Sequence, residues 1–96
     1  MADKIEIENV GQPGKIYRVD AVKFAAVKEA VLATLPSDAP GLSVSDLIAG
    51  VKLKLSQELF PGGEKAGWWV KAVQLDLEAK KVIARADKPP VRLYRL

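Results

Sequence analysis

The stretch EKAGWWVKAVQLDLEAKKVIARADKPPVRLYRL, Glu64 to Leu96, changes its apolar period part-way along, and that change decides the fold. From Glu64 to about Lys80 the apolar residues recur with helical spacing. With Val70 at the centre of an inner face, Ala66, Val73 and Leu77 fall within about 60° of it, at about 100° per residue. Lys81 lies on the same side, at the helix end, where its long stem reaches water. Glu64 suits the positive end of a helix dipole. Beyond the helix, VIARA and VRLYRL alternate with a period of two, as short strands do, and DKPP between them reads as a turn. Val82, Ala84 and Ala86 form one face of the first run. In the second, Val91, Leu93 and Arg95 alternate with Arg92, Tyr94 and Leu96. The expectation is a third helix that leads straight into a two-stranded hairpin.

Within that helix Trp68 and Trp69 are neighbours, and residues about 100° apart cannot share one buried face. Trp69 falls at the margin of the inner face. Trp68 points the other way and, with Ala72, Leu75 and Ala79, makes a second, outward apolar stripe. Three coverings are open for it. The N-terminal segment folds over it through Ile5, Ile7 or Ile16; or a partner or second copy docks on it, with Trp68 as an aromatic anchor; or it enters a DNA groove against thymine methyls or sugars.

Upstream, PGG (Pro61 to Gly63) breaks a second helix. That helix opens at Ser43, with Asp46 three residues on in a capping-box-like place, and runs on through SQELF. Val44, Leu47, Ile48, Val51 and Leu55 form its buried stripe. The first helix runs from Asp20, an N-cap, to the stop at Pro36. It carries Phe24, Val27, Val31 and Leu35 on one stripe, and Val19 and Phe24 have staple spacing. Before it, KIEIENV and KIYRV alternate around the turn signal GQPG, predicting an N-terminal β-hairpin. The fold class is α+β.

The 96 residues are 49% hydrophobic and 28% charged, enough for one domain with a modest core. There is no cysteine and no histidine, which excludes disulfides, thiol chemistry, zinc-finger sites and histidine-based catalysis. No loop carries the clustered acids of a calcium site, and PGGEK lacks the spacing of a phosphate-binding loop. The expectation is a non-enzyme with no cofactor and no metal. MADKIEIENV has no signal-peptide pattern, and no apolar run approaches a membrane span, so the cytoplasm is the expected address. Charge is unevenly placed. Residues 1–79 hold nine Lys/Arg against eleven Asp/Glu, a net of −2, whereas residues 80–96 hold six against one, a net of +5. A basic end on a slightly acidic domain suggests an anionic partner, and equally describes a solvated hairpin.

The segment VQLDLEAKKVIAR, Val73 to Arg85, resembles the end of a winged-helix recognition helix, where an apolar-x-x-L-E-x-x-G-L-I-x-R pattern leads into the first wing strand. Leu77, Glu78, Val82, Ile83 and Arg85 match; Lys81 stands where the pattern has glycine. LSVSDL, Leu42 to Leu47, resembles the start of the second helix in such proteins. The resemblance covers residues 20–96 and implies a three-helix winged helix-turn-helix with a C-terminal wing, residues 1–19 being an N-terminal hairpin or arm on the same compact domain. LFPGGEKAGWWVKAVQLDLEA also resembles a set of small uncharacterised bacterial proteins.

What the winged-helix resemblance implies is binding of double-stranded DNA, as in transcriptional regulators, with the third helix in the major groove and the wing on the backbone. On that reading Lys71 meets guanine or phosphate and Gln74 meets adenine. Arg85, Lys88, Arg92 and Arg95 supply backbone contacts from the wing. The alternative is a non-catalytic interaction module that uses the same scaffold for homodimerisation or partner docking, with Trp68, Ala72 and Leu75 as its interface.

Overall fold

The computed structural model describes residues 3–87 and 89–96. Strands β1 (Lys4–Glu8) and β2 (Ile16–Asp20) pair antiparallel, with Ile5 opposite Val19 and Ile7 opposite Tyr17. This is the hairpin that the alternation predicts, and its Ile7 and Val19 are buried. Asp20 then ends the strand and caps helix α1 (Ala21–Thr34): its Oδ1 accepts the Lys23 N–H at 3.0 Å. A first-turn amide that has no helical partner is thereby satisfied. Phe24, Val27, Val31 and Leu35 are all buried, as the spacing requires.

Ser43 caps helix α2 (Val44–Lys52) in the same way, accepting the Asp46 N–H at 3.2 Å. The helix ends earlier than the sequence suggests. Ser56 takes over the following backbone: its Oγ accepts the Leu59 N–H at 3.1 Å and its carbonyl accepts the Phe60 N–H at 3.0 Å. Such serine-centred bonding competes with helical bonding. The resulting turn swings Phe60 into the core, and a 3-10 turn over Pro61–Gly63 follows. Helix α3 (Ala66–Ala79) starts two residues after Glu64, because Lys65 sits at φ 59°, in the left-handed region. Ala66, Val70, Val73 and Leu77 form its inner face, all buried.

Behind the helices lies a three-stranded antiparallel sheet. Strand β3 (Leu42–Ser43) pairs with β5 (Arg92–Arg95), which also pairs with β4 (Ile83–Arg85), giving the order β3-β5-β4. Two residues are too few to show a period, so β3 is invisible in the sequence. It was expected to belong to the start of the second helix. In β4 the buried residue is Ile83, 1% exposed, while Val82 precedes the strand and is exposed. The architecture is thus an α+β domain of three helices and two small antiparallel sheets. No helix among the described residues is long and apolar enough to cross a membrane.

The end of α3 explains the position of Val82. The Val82 N–H donates to the Leu77 carbonyl at 2.9 Å and the Lys81 N–H to the Glu78 carbonyl at 3.1 Å. These two bonds are the Schellman arrangement, which requires a left-handed residue at the position held by Lys81, here at φ 60°. A side chain in that conformation costs roughly 1–2 kcal/mol, a cost that glycine avoids. Lys81→Gly is therefore expected to stabilise the protein by about 1 kcal/mol, raising the melting temperature by roughly 4–8 °C in a calorimetric scan.

Candidate functional site

Trp69 and Trp68 divide α3 as their angular separation demands. Trp69 is buried, with its ring edge-on to Phe60 at a centroid distance of 6.2 Å. Trp68 leans edge-on against Trp69 at 5.1 Å and remains 56% exposed. The remainder of the outward stripe is partly covered by the N-terminal hairpin. The Glu8 N–H donates to Asp76 Oδ1 at 2.8 Å, and the Val10 N–H donates to the Leu75 carbonyl at 3.3 Å. Asp76 is 1% exposed, and its charge is met by Lys80, whose Nζ lies 2.9 Å from Oδ1 and 3.0 Å from Oδ2. A carboxylate in the C-terminal half of α3 thus fastens the hairpin to the helix.

Because the hairpin is pinned beside the C-terminal half of α3, it stands away from the N-terminal half. A groove of about 400 Å³ opens between them. Trp68, Lys71, Ala72 and Leu75 line it from the helix, and Ile7, Tyr17 and Val19 are the apolar side chains lining it from the hairpin. Glu8, Asn9 and Arg18 complete the lining. The volume lies at the lower end of the range for ligand pockets, roughly 300–1,000 Å³, with apolar lining and a few polar groups. A family model matches residues 4–93, which takes in both walls of this groove. The chain belongs to DUF6958, a family of unknown function. No curated protein and no solved structure matches it.

In this DUF6958 chain the residues expected at an interface, Trp68, Ala72 and Leu75, lie together in one groove. The residues expected on DNA do not. Gln74 corrects the expectation most sharply: it is 1% exposed, its Nε2 donates to Glu78 Oε1 at 3.3 Å, and its Oε1 has no partner among the described residues. A side chain enclosed in this way is not on the helix surface to read an adenine. At about 100° per residue Gln74 lies only about 40° from Val70, inside the inner face, so its burial follows from the helix geometry itself.

The cations of the C-terminal strands are also largely engaged. Arg85 forms a two-pronged pair with Glu78, Nε to Oε1 at 3.2 Å and Nη2 to Oε2 at 3.0 Å. Arg95 donates its backbone N–H to the Pro36 carbonyl and its Nε to the Leu35 carbonyl, both at 2.8 Å. It thereby satisfies carbonyls at the end of α1 that have no helical donor. Arg92 is half-buried on β5, opposite Ser43. Lys88 lies outside the described residues. Lys71 alone of the expected helix contacts is exposed, and it faces the groove.

Asp76 and three residues of β2 were missed by sequence reasoning. Asp76 carried no signal of burial, since it lies about 120° from Val70, outside the inner arc, and is enclosed where the hairpin docks. Tyr17, Arg18 and Val19 carried none beyond strand alternation. Their meeting with α3 depends on where the hairpin docks.

Proposed function

We propose that this protein is a non-catalytic interaction module on a winged-helix scaffold, and that the groove between the hairpin and α3 receives an apolar side chain of a partner protein. The observation that carries the reading is the open groove itself, with Trp68 more than half exposed at its edge. Aromatic side chains beside a concave apolar patch supply much of the energy in protein interfaces. Such a surface on a small domain is otherwise an aggregation liability. The winged-helix part of the proposal rests on the sheet order β3-β5-β4 and on α3 running directly into β4.

Binding of duplex DNA is the second reading, and the same element order favours it. Against it stand the enclosed Gln74, the Arg85–Glu78 pair, the Arg95 contact with α1 and the hairpin fastened beside α3. A groove-reading helix ordinarily offers base-edge donors and acceptors, and on α3 only Lys71 remains of those expected.

Titrating isotope-labelled protein with small organic probes such as indole and isopropanol tests the leading proposal. Backbone shifts are expected to cluster at Ile7, Ala72 and Leu75. Trp68→Ser is expected to weaken indole binding about tenfold, the equivalent of losing about 1.4 kcal/mol of contact, with little change in melting temperature. Probe binding that avoids the groove would count against the proposal. Steeply salt-dependent binding of a short duplex, weakened by replacing Arg92 with alanine, would favour the DNA reading instead.

A further inference from the structure

The charges around the groove state what kind of partner it suits. Lys71 on α3 gives one wall an exposed cation, and on the hairpin wall Lys15 shares the face of Tyr17 and Val19, while Arg18 alternates to the opposite face beside Glu6. Lys15 lies close by, its Nζ 5.7 Å from the centroid of the Tyr17 ring. Neither Lys71 nor Lys15 belongs to a salt bridge among the described residues, although the cations at Asp76 and Glu78 do. Glu8 is the one acidic residue in the lining, and along β1 its side chain, like that of Glu6, alternates to the hairpin face opposite Ile7. The local balance is positive, around an apolar floor.

We infer that the groove takes a short acidic segment of another protein that presents one bulky apolar side chain between carboxylates. The inference rests on the docking function proposed above and adds the chemistry of the occupant. The apolar side chain fills the floor over Ala72 and Leu75, and flanking carboxylates meet Lys71 on the helix wall and Lys15 beside Tyr17 on the hairpin wall. A second copy of this chain is a poor occupant. Its two most exposed apolar side chains are Leu53, 88% exposed, and Leu96, 71% exposed. The first stands between Lys52 and Lys54 and the second follows Arg95, so either would bring like charge to the groove. A single nucleic-acid strand also combines flat apolar faces with negative charge. It binds best on exposed aromatic platforms, whereas here the floor is concave and aliphatic.

Fluorescence anisotropy with four labelled probes tests the inference: an amphipathic peptide of glutamates around leucine and phenylalanine, its glutamine counterpart, its lysine counterpart, and oligothymidylate. The acidic peptide is expected to bind about tenfold more tightly than the glutamine peptide at low salt, from two partly solvated ion pairs. High salt should narrow that gap. The double variant Lys71→Ala/Lys15→Ala should bring the acidic peptide down to the affinity of the glutamine peptide. Equal binding of all three peptides would overturn the acidic preference and leave the docking proposal standing. Tightest binding of the lysine peptide would overturn it as well. Binding of oligothymidylate without the acidic peptide would make the occupant a nucleic-acid strand, and no peptide binding at all would sink both the inference and the docking proposal.

Discussion

Gly41→Ala is expected to destabilise the protein by about 3 kcal/mol or more, lowering the melting temperature by roughly 12–24 °C. Two physical effects act together. Gly41 lies at φ +87°, where a Cβ is strained, and that Cβ would stand only 1.8 Å from the Leu93 carbonyl oxygen and 2.4 Å from its carbon. Both of those atoms belong to backbone, so no side-chain rotation relieves the clash. The strand β5 must shift, and it is the central strand of the three-stranded sheet. Leu42, next in sequence, pairs with Leu93, which is fully buried, so the shift reaches the core. A loss of this size is a large share of the roughly 5–15 kcal/mol that stabilises a small domain. Thermal unfolding followed by circular dichroism measures it, and a near-wild-type melt would contradict the close packing of β5 on Gly41.

Asp76→Ala is expected to cost about 2–3 kcal/mol and to loosen the N-terminal hairpin in particular. Its Oδ1 is the acceptor for the Glu8 N–H, and hydrogen bonds to charged acceptors contribute roughly 1.5–3 kcal/mol. Lys80 is 41% exposed, so it turns to water when its partner is lost, and most of the penalty falls on the hairpin side. Hydrogen exchange of the Glu8 and Val10 amides is the sharper measurement. Their protection should fall about fiftyfold, while amides in α1 change less. Asp76→Asn, which keeps an acceptor oxygen, should lose less. Because the hairpin forms one wall of the groove, the alanine variant should also lose probe and peptide binding without any change to a groove residue. Unaltered exchange at Glu8 and Val10 would show that the hairpin is held by apolar packing alone.

The two aromatic neighbours show where reading the sequence stops. The 100° between them placed Trp69 at the edge of the core and Trp68 outside it, and the structure has Trp69 buried and Trp68 exposed. The same geometry left three coverings open for the outward stripe. The hairpin is fastened over its C-terminal end, through bonds to Asp76 and to the Leu75 carbonyl. The rest remains as the groove.

The sequence by itself determined the helical faces, the caps at Asp20 and Ser43, the N-terminal hairpin and the strands after α3. These follow from period, side-chain capping and turn chemistry, which act over a few residues. It also marked Lys81 as the position with a backbone demand, by setting a lysine where the resembling pattern has glycine. Only the tertiary structure decided what depends on residues far apart in the chain. Gly41 faces Leu93, Glu8 faces Asp76, and Arg95 reaches the end of α1. The apparent store of positive charge in residues 80–96 changed meaning for the same reason. Ionic and hydrogen-bonding partners are chosen by three-dimensional proximity, and folding brought Arg85 to Glu78 and Arg95 to Leu35 before any ligand is considered. Lys71 and Tyr17, separated in sequence and unremarkable there, were left on the two walls of one groove with Trp68.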